Sequence, residues 1–262
     1  MARHFVSVAL LWIALTALSY TVFLLDLYPV VGSDDAKVFD DIFDLLLILG
    51  MPVFAFVIAV IAYSMYAFRQ RDFAEFGASF RGTGMVPIIW VVATSALATL
   101  VIIHPGLTGL AHLQKVDPTG YGWGEEDGEL VVNVTAFRWS WTFEYPEQGF
   151  TVQGQGQELV IPVDTSIRFN VDSTDVVHSF WIPAFRMKID TLPGRTTFFT
   201  VRPTVTGAYD PANSSEFRVQ CAELCGLDHG GMRFPVRVVT VEEFDEWVEE
   251  RQGEAQTRAR GD

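Results

Sequence analysis

Residues 217–238 read FRVQCAELCGLDHGGMRFPVRV, and this stretch decides the fold because its pattern changes twice. Apolar and polar residues alternate over 217–220 and again over 233–238, which is the period of a half-buried β-strand. Residues 221–232 between them lack this alternation and are rich in glycine and in side chains that bind metals. The sequence therefore predicts two adjacent strands joined by a loop that a packed sheet holds at both ends.

Similar strand patterns recur in the preceding part of the chain. Residues 130–145 are dense in valine and aromatic residues, which predicts a strand or one arm of a hairpin. Residues 159–163 and 167–171 alternate, and 198–201 is another β-rich run. Six or more short strands at this spacing are typical of a β-sandwich or barrel of about a hundred residues. The second half of the chain is therefore predicted to be an all-β domain.

Three uncharged stretches near the N-terminus predict membrane-spanning helices. They are residues 5–25, 45–67 and 85–103, each close to the ~20 residues that a spanning helix needs. The first follows a charged start, so it is either a third transmembrane helix or a secretory signal peptide. Its apolar run is longer than that of a usual signal peptide, and no clear cleavage pattern follows it. These features favour a helix.

The predicted order of segments is an N-terminal transmembrane helix or signal peptide (1–26), a transmembrane helical hairpin (42–104), a connector (105–129), the β domain (130–240) and a short amphipathic helix with a polar tail (241–262). Arg69, Arg71 and Arg81 lie between the second and third spans, whereas residues 26–44 are rich in aspartate. Basic loops stay in the cytoplasm. The chain is therefore predicted to be a multi-pass protein of the cell (plasma) membrane whose C-terminal domain is extracytoplasmic.

Acidic residues are concentrated in this outer domain. The chain has a formal net charge of −14, and from residue 105 onward 24 acidic residues stand against 13 basic ones. Such a surface attracts basic partners and repels phosphates. The charge therefore argues against a nucleic-acid partner and favours a soluble protein with a basic face.

The cysteines of the chain, Cys221 and Cys225, lie four residues apart in the loop. In an oxidising compartment two such cysteines commonly form a disulfide, and the cysteines alone favour that alternative. His229 and Met232 follow them, however, and a disulfide needs neither. Zinc is another alternative, but methionine is a poor zinc ligand. Copper binds thiolate, imidazole and thioether groups, so the loop as a whole predicts a copper site.

The number of cysteines indicates two copper ions rather than one. A mononuclear blue-copper site uses one cysteine, two histidines and a weak methionine, so this loop has one cysteine in excess. Two bridging thiolates can instead hold a pair of coppers, each completed by one imidazole and one weaker ligand. His4, His104 and His112 lie near or within the membrane segments and the connector. A histidine at a strand end is usually structural, but the need for a second imidazole selects His178.

The chain resembles subunit II of the haem-copper cytochrome c oxidases. The resemblance is carried by the pattern Cys-x-Glu-x-Cys-x-x-x-His-x-x-Met, by HSFW at 178–181 and by KIDTLPGR at 188–195. It spans the membrane anchor, the aromatic strand, the β domain and the C-terminal helix. It implies a cupredoxin-like Greek-key β-sandwich or barrel behind N-terminal transmembrane helices, with a binuclear copper centre, CuA.

The resemblance also implies a role for each ligand. The implied copper ligands are His178, Cys221, Glu223, Cys225, His229 and Met232. The two thiolates would bridge the coppers, and His178 and Met232 would complete one of them. His229 and the backbone carbonyl of Glu223 would complete the other. The Glu223 side chain would reach toward a magnesium ion at the interface with subunit I.

The aromatic run over residues 137–145 resembles the segment through which electrons enter in this family. Trp139 aligns with the surface tryptophan that receives them from the donor. Strand alternation would place Trp141 and Phe143 on the same face as Trp139, where any of the three could instead be a core residue. Ser140 replaces the tyrosine of the family's Trp-Tyr-Trp segment.

The implied function is that of the electron-accepting subunit of a terminal respiratory oxidase, a proton-translocating oxidoreductase. A soluble donor, cytochrome c or a small blue-copper protein, would pass electrons through Trp139 to the coppers and on to haem in subunit I. Oxygen would be reduced to water in that partner, so the chain alone would perform no bond chemistry. Subunit I and the other oxidase subunits would be its membrane partners. The alternative is a membrane-anchored copper-binding or copper-delivery protein without a catalytic partner.

Overall fold

The computed structural model describes residues 2–25, 27–69, 84–108, 122–123 and 130–260. The chain forms two compact units, one of residues 1–28 and 40–110 and the other of residues 29–39 and 111–262. Arg71, Arg81 and His112, and most of the predicted connector 105–129, lie outside the described residues.

Three of the described helices are long and apolar enough to cross a membrane. They are α1 (Ala2–Ser19), which continues into a 3-10 segment (Tyr20–Leu24), α2 (Asp34–Ala67) and α3 (Met85–Val101), which is followed by a π-helical segment (Ile102–Leu107). The backbone leaves the helical region at His104, next to Pro105, where the sequence indicates a helix break.

Helix α2 begins well before residue 42, where the hairpin was predicted to start. Its first turn contains Asp34 and Asp35, whose charges complement the positive end of the helix dipole. The Ser33 hydroxyl accepts a hydrogen bond from the backbone N–H of Ala36 at 3.1 Å, as an N-cap does. Hydropathy identifies only the apolar part of a helix, so this polar extension could not be found from it.

The α1 segment hydrogen-bonds to α2 where a proline interrupts that helix. Pro52 has no N–H, so the carbonyl of Ile48 lacks its helical donor. The Tyr20 hydroxyl donates to this carbonyl at 2.9 Å, and Trp12 Nε1 donates to the carbonyl of Pro52 at 2.8 Å. A bilayer core offers no water to unpaired backbone groups. These two hydrogen bonds therefore make the α1 segment a structural partner of α2.

The strands follow in the second unit. They are β1 (Gly122–Trp123), β2 (Leu130–Phe137), β3 (Ser140–Tyr145), β4 (Phe150–Gln153), β5 (Leu159–Pro162), β6 (Ile167–Ser173), β7 (His178–Trp181), β8 (Lys188–Thr191), β9 (Thr197–Val201), β10 (Gly207–Ala208), β11 (Arg218–Cys221) and β12 (Arg233–Val239). Residues 130–145 thus form a hairpin of β2 and β3 rather than one strand.

The strands form the two sheets of an all-β sandwich. One sheet has the order β1-β9-β6-β2-β3-β4, and the other has the order β10-β12-β11-β7-β8 with β5 also paired to β12. Neighbours are antiparallel except for the pairs β1–β9, β2–β6 and β5–β12. The predicted order, apolar helices long enough to span a membrane followed by a β-sandwich, is confirmed.

The sheet order brings the two predicted parts of the metal site together. Strand β11 pairs with β12 on one side and with β7 on the other, so that Cys221 lies opposite Phe180. The loop leaves the end of β11 and returns as β12, while His178 opens the adjacent β7. Neighbouring strand ends of one sheet thus carry the loop and the second histidine.

Aromatic side chains fill the space between the sheets. The largest fully buried ones are Trp141, Tyr145, Phe143, Phe169, Phe180, Phe185 and Phe199. Burying side chains of this size contributes about 1.5–3 kcal/mol each relative to exposure. This rigid core supports the strand ends from which the ligand-bearing segments extend.

The C-terminal helix α4 (Val241–Arg260) closes the edge of this core. Trp247 packs on Tyr145 with ring centroids 5.4 Å apart, and Thr240 and Glu243 form a reciprocal capping box. The helix continues to Arg260, so the prediction of a short helix with a polar tail was wrong in its extent. Its last turns have no large apolar residues at helical spacing. The helix propensity of the residues in them is therefore the only local feature that predicts this extension.

The segment before α2 is bound to the β domain. The backbone N–H of Gly32 donates to the carbonyl of Ala184 at 2.9 Å, and the Gly32 carbonyl accepts from the N–H of Thr204 at 3.0 Å. A Cβ atom at Gly32 would lie 3.0 Å from the Ala184 Cβ, so this close approach favours glycine. Arg186 also donates to the carbonyl of Pro29 at 2.7 Å.

Candidate metal centre

The two cysteine thiols lie side by side and are not bonded to each other. Both are buried and free, and the Sγ atoms of Cys221 and Cys225 are 3.8 Å apart. The sulfurs of a disulfide are about 2.05 Å apart. The disulfide alternative therefore does not describe this structure. Two thiolate–metal bonds of the ~2.3 Å known for zinc would reach across the 3.8 Å between the sulfurs.

Two of the other predicted ligand atoms lie close to Cys221. The Nδ1 atom of His178 is 3.8 Å from the Cys221 Sγ, and the carbonyl oxygen of Glu223 is 3.2 Å from it. His178 reaches this position because β7 and β11 are neighbours in the sheet. The Glu223 side chain is exposed, so the residue points its carbonyl at the sulfur and its carboxylate outward.

The remaining two predicted ligand atoms lie close to Cys225. The Nδ1 atom of His229 is 3.7 Å from the Cys225 Sγ, and the Met232 Sδ is 3.8 Å from it. A 3-10 turn over His229–Gly231 folds the loop back toward the sulfur. The backbone N–H of Cys221 donates to the carbonyl of Met232 at 3.1 Å and so closes the base of the loop.

Trp139 does not share a face with Trp141 and Phe143, so that expectation was wrong. The last two side chains are fully buried, whereas 37% of Trp139 is exposed. The reason is that Trp139 lies in the turn between β2 and β3, where the alternation of a strand no longer applies. Its indole is thus available at the surface of the domain.

The Trp139 indole also lies against the loop of residues 221–232, called the metal loop below. A Cβ atom placed on Gly226 would be only 3.3 Å from the Trp139 Cζ2 atom. Gly226 has a φ of +124°, a backbone conformation that favours glycine, and it directly follows Cys225. The exposed tryptophan is therefore in contact with the residue next to one of the two thiols. Sequence reasoning missed this contact, for which only the glycine itself was a signal.

Asp175 is a second residue that sequence reasoning missed. Its Oδ1 atom lies 2.9 Å from the Nε2 of His178, on the side of the imidazole opposite Cys221. Partial burial raises the pKa of Asp175, but hydrogen bonds from His178 and from the backbone N–H groups of Arg138 and Val176 outweigh this effect. The pKa therefore falls well below its usual range, and the carboxylate is ionised at neutral pH.

The donor set fits copper by its chemistry. Among the described residues, His178, Cys221 and Cys225 form one buried group whose ligand atoms lie within 4.8 Å of one another. A thioether and a second imidazole adjoin this group. Thiolate, imidazole and thioether together suit copper better than zinc, calcium or magnesium. All six ligand groups named from the sequence are therefore in one place and of the right type.

Copper loading is expected to weaken as the pH falls. Burial, with a contribution from the neighbouring Cys221, raises the pKa of the Cys225 thiol to about 11. The metal-free chain therefore holds a protonated thiol at neutral pH, and a metal must displace that proton. Below this pKa the apparent affinity should rise by about tenfold per pH unit for each proton released. Competition with a chelator across a pH series measures this slope. A pH-independent affinity would show that the thiol is already ionised.

The loop exposes two leucine side chains. Leu224 is 78% exposed and Leu227 is 97% exposed. Both leucines belong to the same loop as the two buried thiols.

The fold and the donor set together define a membrane-anchored β-sandwich protein in which the loop of residues 221–232 carries thiol, imidazole and thioether groups that can bind a metal. The family model described as "Cytochrome C oxidase subunit II, periplasmic domain" matches residues 151–239. Cytochrome c oxidase subunit 2 of Synechocystis sp. is 31% identical over 260 residues, which cover 85% of this chain and 75% of that protein. The chain belongs to the cytochrome c oxidase subunit II family, whose members are part of an oxidoreductase complex.

The chain is also similar to two further proteins described as subunit II of a cytochrome oxidase. Cytochrome c oxidase subunit 2 of Bacillus subtilis is 32% identical over 194 residues, covering 72% of this chain and 52% of that protein. The solved periplasmic domain of subunit II of cytochrome oxidase (CoxB) of Bradyrhizobium japonicum is 35% identical, with a TM-score of 0.43, and covers 49% of this chain and 96% of its own. The family and the apolar helices together indicate a membrane-anchored chain with an extracytoplasmic domain.

Proposed function

We propose that this chain accepts electrons from a soluble donor at the rim of its β domain and delivers them to haem in subunit I of a haem-copper oxidase. The observation that carries the proposal is the set of six ligand groups around two free thiols 3.8 Å apart. A bound copper pair supplies a one-electron carrier that needs little rearrangement between its two redox states. Oxygen reduction to water and proton translocation belong to the partner subunits.

The residues of this chain divide the work of holding such a pair. Cys221 and Cys225 would bridge the coppers, with His178 and Met232 completing one of them. His229 and the Glu223 carbonyl would complete the other. Burial of the thiols and of His178 excludes water and fixes the ligand positions. A rigid ligand set of this kind keeps reorganisation small.

Trp139 would be the residue through which electrons enter. Its indole is partly exposed and contacts Gly226, the residue after Cys225. It would therefore connect a donor bound at the surface to the backbone beside Cys225. The net acidic charge of the domain favours a donor with a basic face. Cytochrome c and a small blue-copper protein both remain candidates for that donor. Glu223 is exposed, which leaves its carboxylate free to bind a magnesium ion at the interface with subunit I.

The segment order supports a multi-pass anchor in the cell membrane. We propose that the three apolar helices span the membrane and dock the chain against subunit I and the other oxidase subunits. Residues 1–26 would act as a transmembrane helix in this arrangement, because Trp12 and Tyr20 bond to α2 carbonyls around Pro52. The domain that follows residue 104 would then lie outside the cytoplasm.

The metal content and spectrum of the purified protein test the proposal. We expect two copper ions per chain and an electron paramagnetic resonance spectrum in which one unpaired electron couples equally to both nuclei. The chain should also copurify with a haem-containing subunit. A single copper with the spectrum of an isolated blue-copper site would contradict the proposal. Labile Cu(I) binding without a haem partner would instead support a copper-delivery protein.

A further inference from the structure

We propose that Asp175 is a positioning residue whose carboxylate holds His178 in the orientation that presents Nδ1 to the thiol pair, and that the same carboxylate anchors the Trp139 turn. This inference rests on the proposed copper site and assigns a role to a residue outside the ligand set. It also connects two parts of the domain that the strand order alone would leave independent.

The contact with Asp175 fixes which nitrogen of His178 carries the proton. Both oxygens of the Asp175 carboxylate accept backbone N–H groups, Oδ1 from Val176 and Oδ2 from Arg138, so the group acts as an acceptor and the Nε2 atom 2.9 Å from Oδ1 carries the hydrogen. The neutral imidazole then has its free electron pair on Nδ1, which faces the Cys221 Sγ at 3.8 Å. His178 is fully buried, so no water competes for either nitrogen. Asp175 thus selects the tautomer that can bind a metal.

Neighbouring groups hold the Asp175 carboxylate in place. The backbone N–H of Val176 donates to the same Oδ1 atom at 2.7 Å, and the Ser173 hydroxyl lies 3.4 Å from it. The N–H of Thr174 donates to the carbonyl of Ala136 at 3.1 Å and fixes the connection between β6 and β7 to β2. The carboxylate therefore approaches His178 from a fixed backbone position and limits rotation of the imidazole.

The other oxygen of the carboxylate binds the turn that carries Trp139. Asp175 Oδ2 accepts from the backbone N–H of Arg138 at 2.9 Å and from the Arg138 Nε at 3.1 Å. Arg138 directly precedes Trp139 in the turn. One carboxylate thus fixes both a histidine beside the thiols and the turn that carries the exposed indole. A displacement of either one would be transmitted to the other through this group.

The test compares Asp175→Ala and Asp175→Asn with Glu158→Gln in the full-length chain. Glu158 is a matched control because its carboxylate is also bonded by an arginine, Arg237 at 2.8 Å, but lies outside the metal loop and its contacts. Copper affinity is measured by chelator competition, and the loaded sites are compared by electron paramagnetic resonance. Loss of a group that orients a metal-binding histidine typically lowers metal affinity by about 10–100-fold.

We expect a loss of this size and a changed copper hyperfine pattern in both Asp175 variants, with Glu158→Gln matching the wild type. Unchanged affinity and spectrum in the Asp175 variants would overturn the inference, as would an equal loss in all three variants. Nitrogen NMR of histidine-labelled, metal-free wild-type chain gives a measurement that needs no variant. His178 should carry its proton on Nε2, and a proton on Nδ1 would refute the role. A wild-type chain without two coppers would instead refute the proposed function.

Discussion

Cys221→Ser is expected to abolish the two-copper signal and, with it, oxidase turnover. A serine hydroxyl is not ionised at neutral pH and is a harder donor than the thiolate that copper prefers. Residues that only orient ligands already contribute about 10–100-fold to metal affinity, so loss of a bridging thiolate should exceed ~10²-fold. Metal analysis and electron paramagnetic resonance of the purified protein measure this loss. The fold should survive, because the introduced hydroxyl could donate to the Glu223 carbonyl, which lies 3.2 Å from the present sulfur.

Met232→Leu provides the matched control for this variant. Methionine is a weak copper ligand, and the exchange conserves the volume of a fully buried side chain. We expect this variant to retain two coppers with a shifted reduction potential. The bridging role of Cys221 would be contradicted if Cys221→Ser kept the two-copper spectrum. Equal loss of copper in both variants would indicate that the loop had simply unfolded.

Trp139→Phe is expected to leave the copper signal intact and to slow oxidation of the soluble donor. The smaller ring removes part of the surface between the donor and Gly226, whereas none of the six ligand groups is changed. Errors of about 1 Å in the approach of reacting groups can cost ~10²-fold in rate, and we expect a loss of about 10–100-fold. Stopped-flow oxidation of reduced cytochrome c and of a reduced blue-copper protein measures the effect for each donor.

Trp181→Phe is the matched control for this change. Trp181 is also partly exposed, but it lies at the opposite end of β7 from His178. The Lys188 side chain lies over its ring. We expect its donor oxidation rate to equal that of the wild type. Reduction by a small chemical reductant should be unaffected in both variants, because such a molecule need not dock at Trp139. A Trp139→Phe variant that accepts electrons at the normal rate would exclude this residue from the path.

The six candidate ligand groups could be named from the sequence because most of their chemistry is local. Cys221, Cys225, His229 and Met232 lie in one loop, and strand alternation on both sides shows that a sheet holds it. His178 is distant in sequence but could be named, since two thiolates require a second imidazole and few histidines are available. Donor type and number, together with the family resemblance, were therefore sufficient to name the groups that the structure brings together around the two thiols.

Contacts made by backbone turns could not be predicted in this way. The turn at Arg138 and Trp139 contains none of the glycine, asparagine or proline residues that mark a tight hairpin. The alternation of strand faces therefore wrongly predicts that Trp139 faces the same way as Trp141. Asp175 meets His178 because the preceding connection is fixed to β2 by the bond from Thr174 to Ala136. Asp175 is only three residues before His178, but outside a helix this spacing does not by itself bring two side chains together. The supporting residues were therefore visible only in the folded chain.

The contacts of Asp175 and Gly226 limit how the metal loop could be transplanted into another protein. A graft of residues 221–232 would carry both thiols but would leave His178 behind. The host strand beside the graft would have to supply a histidine, and an acceptor behind it in the position of Asp175. A neighbouring hairpin would also have to supply an exposed tryptophan that contacts the loop, as Trp139 does here. The smallest transferable unit is therefore three adjoining chain segments rather than one loop.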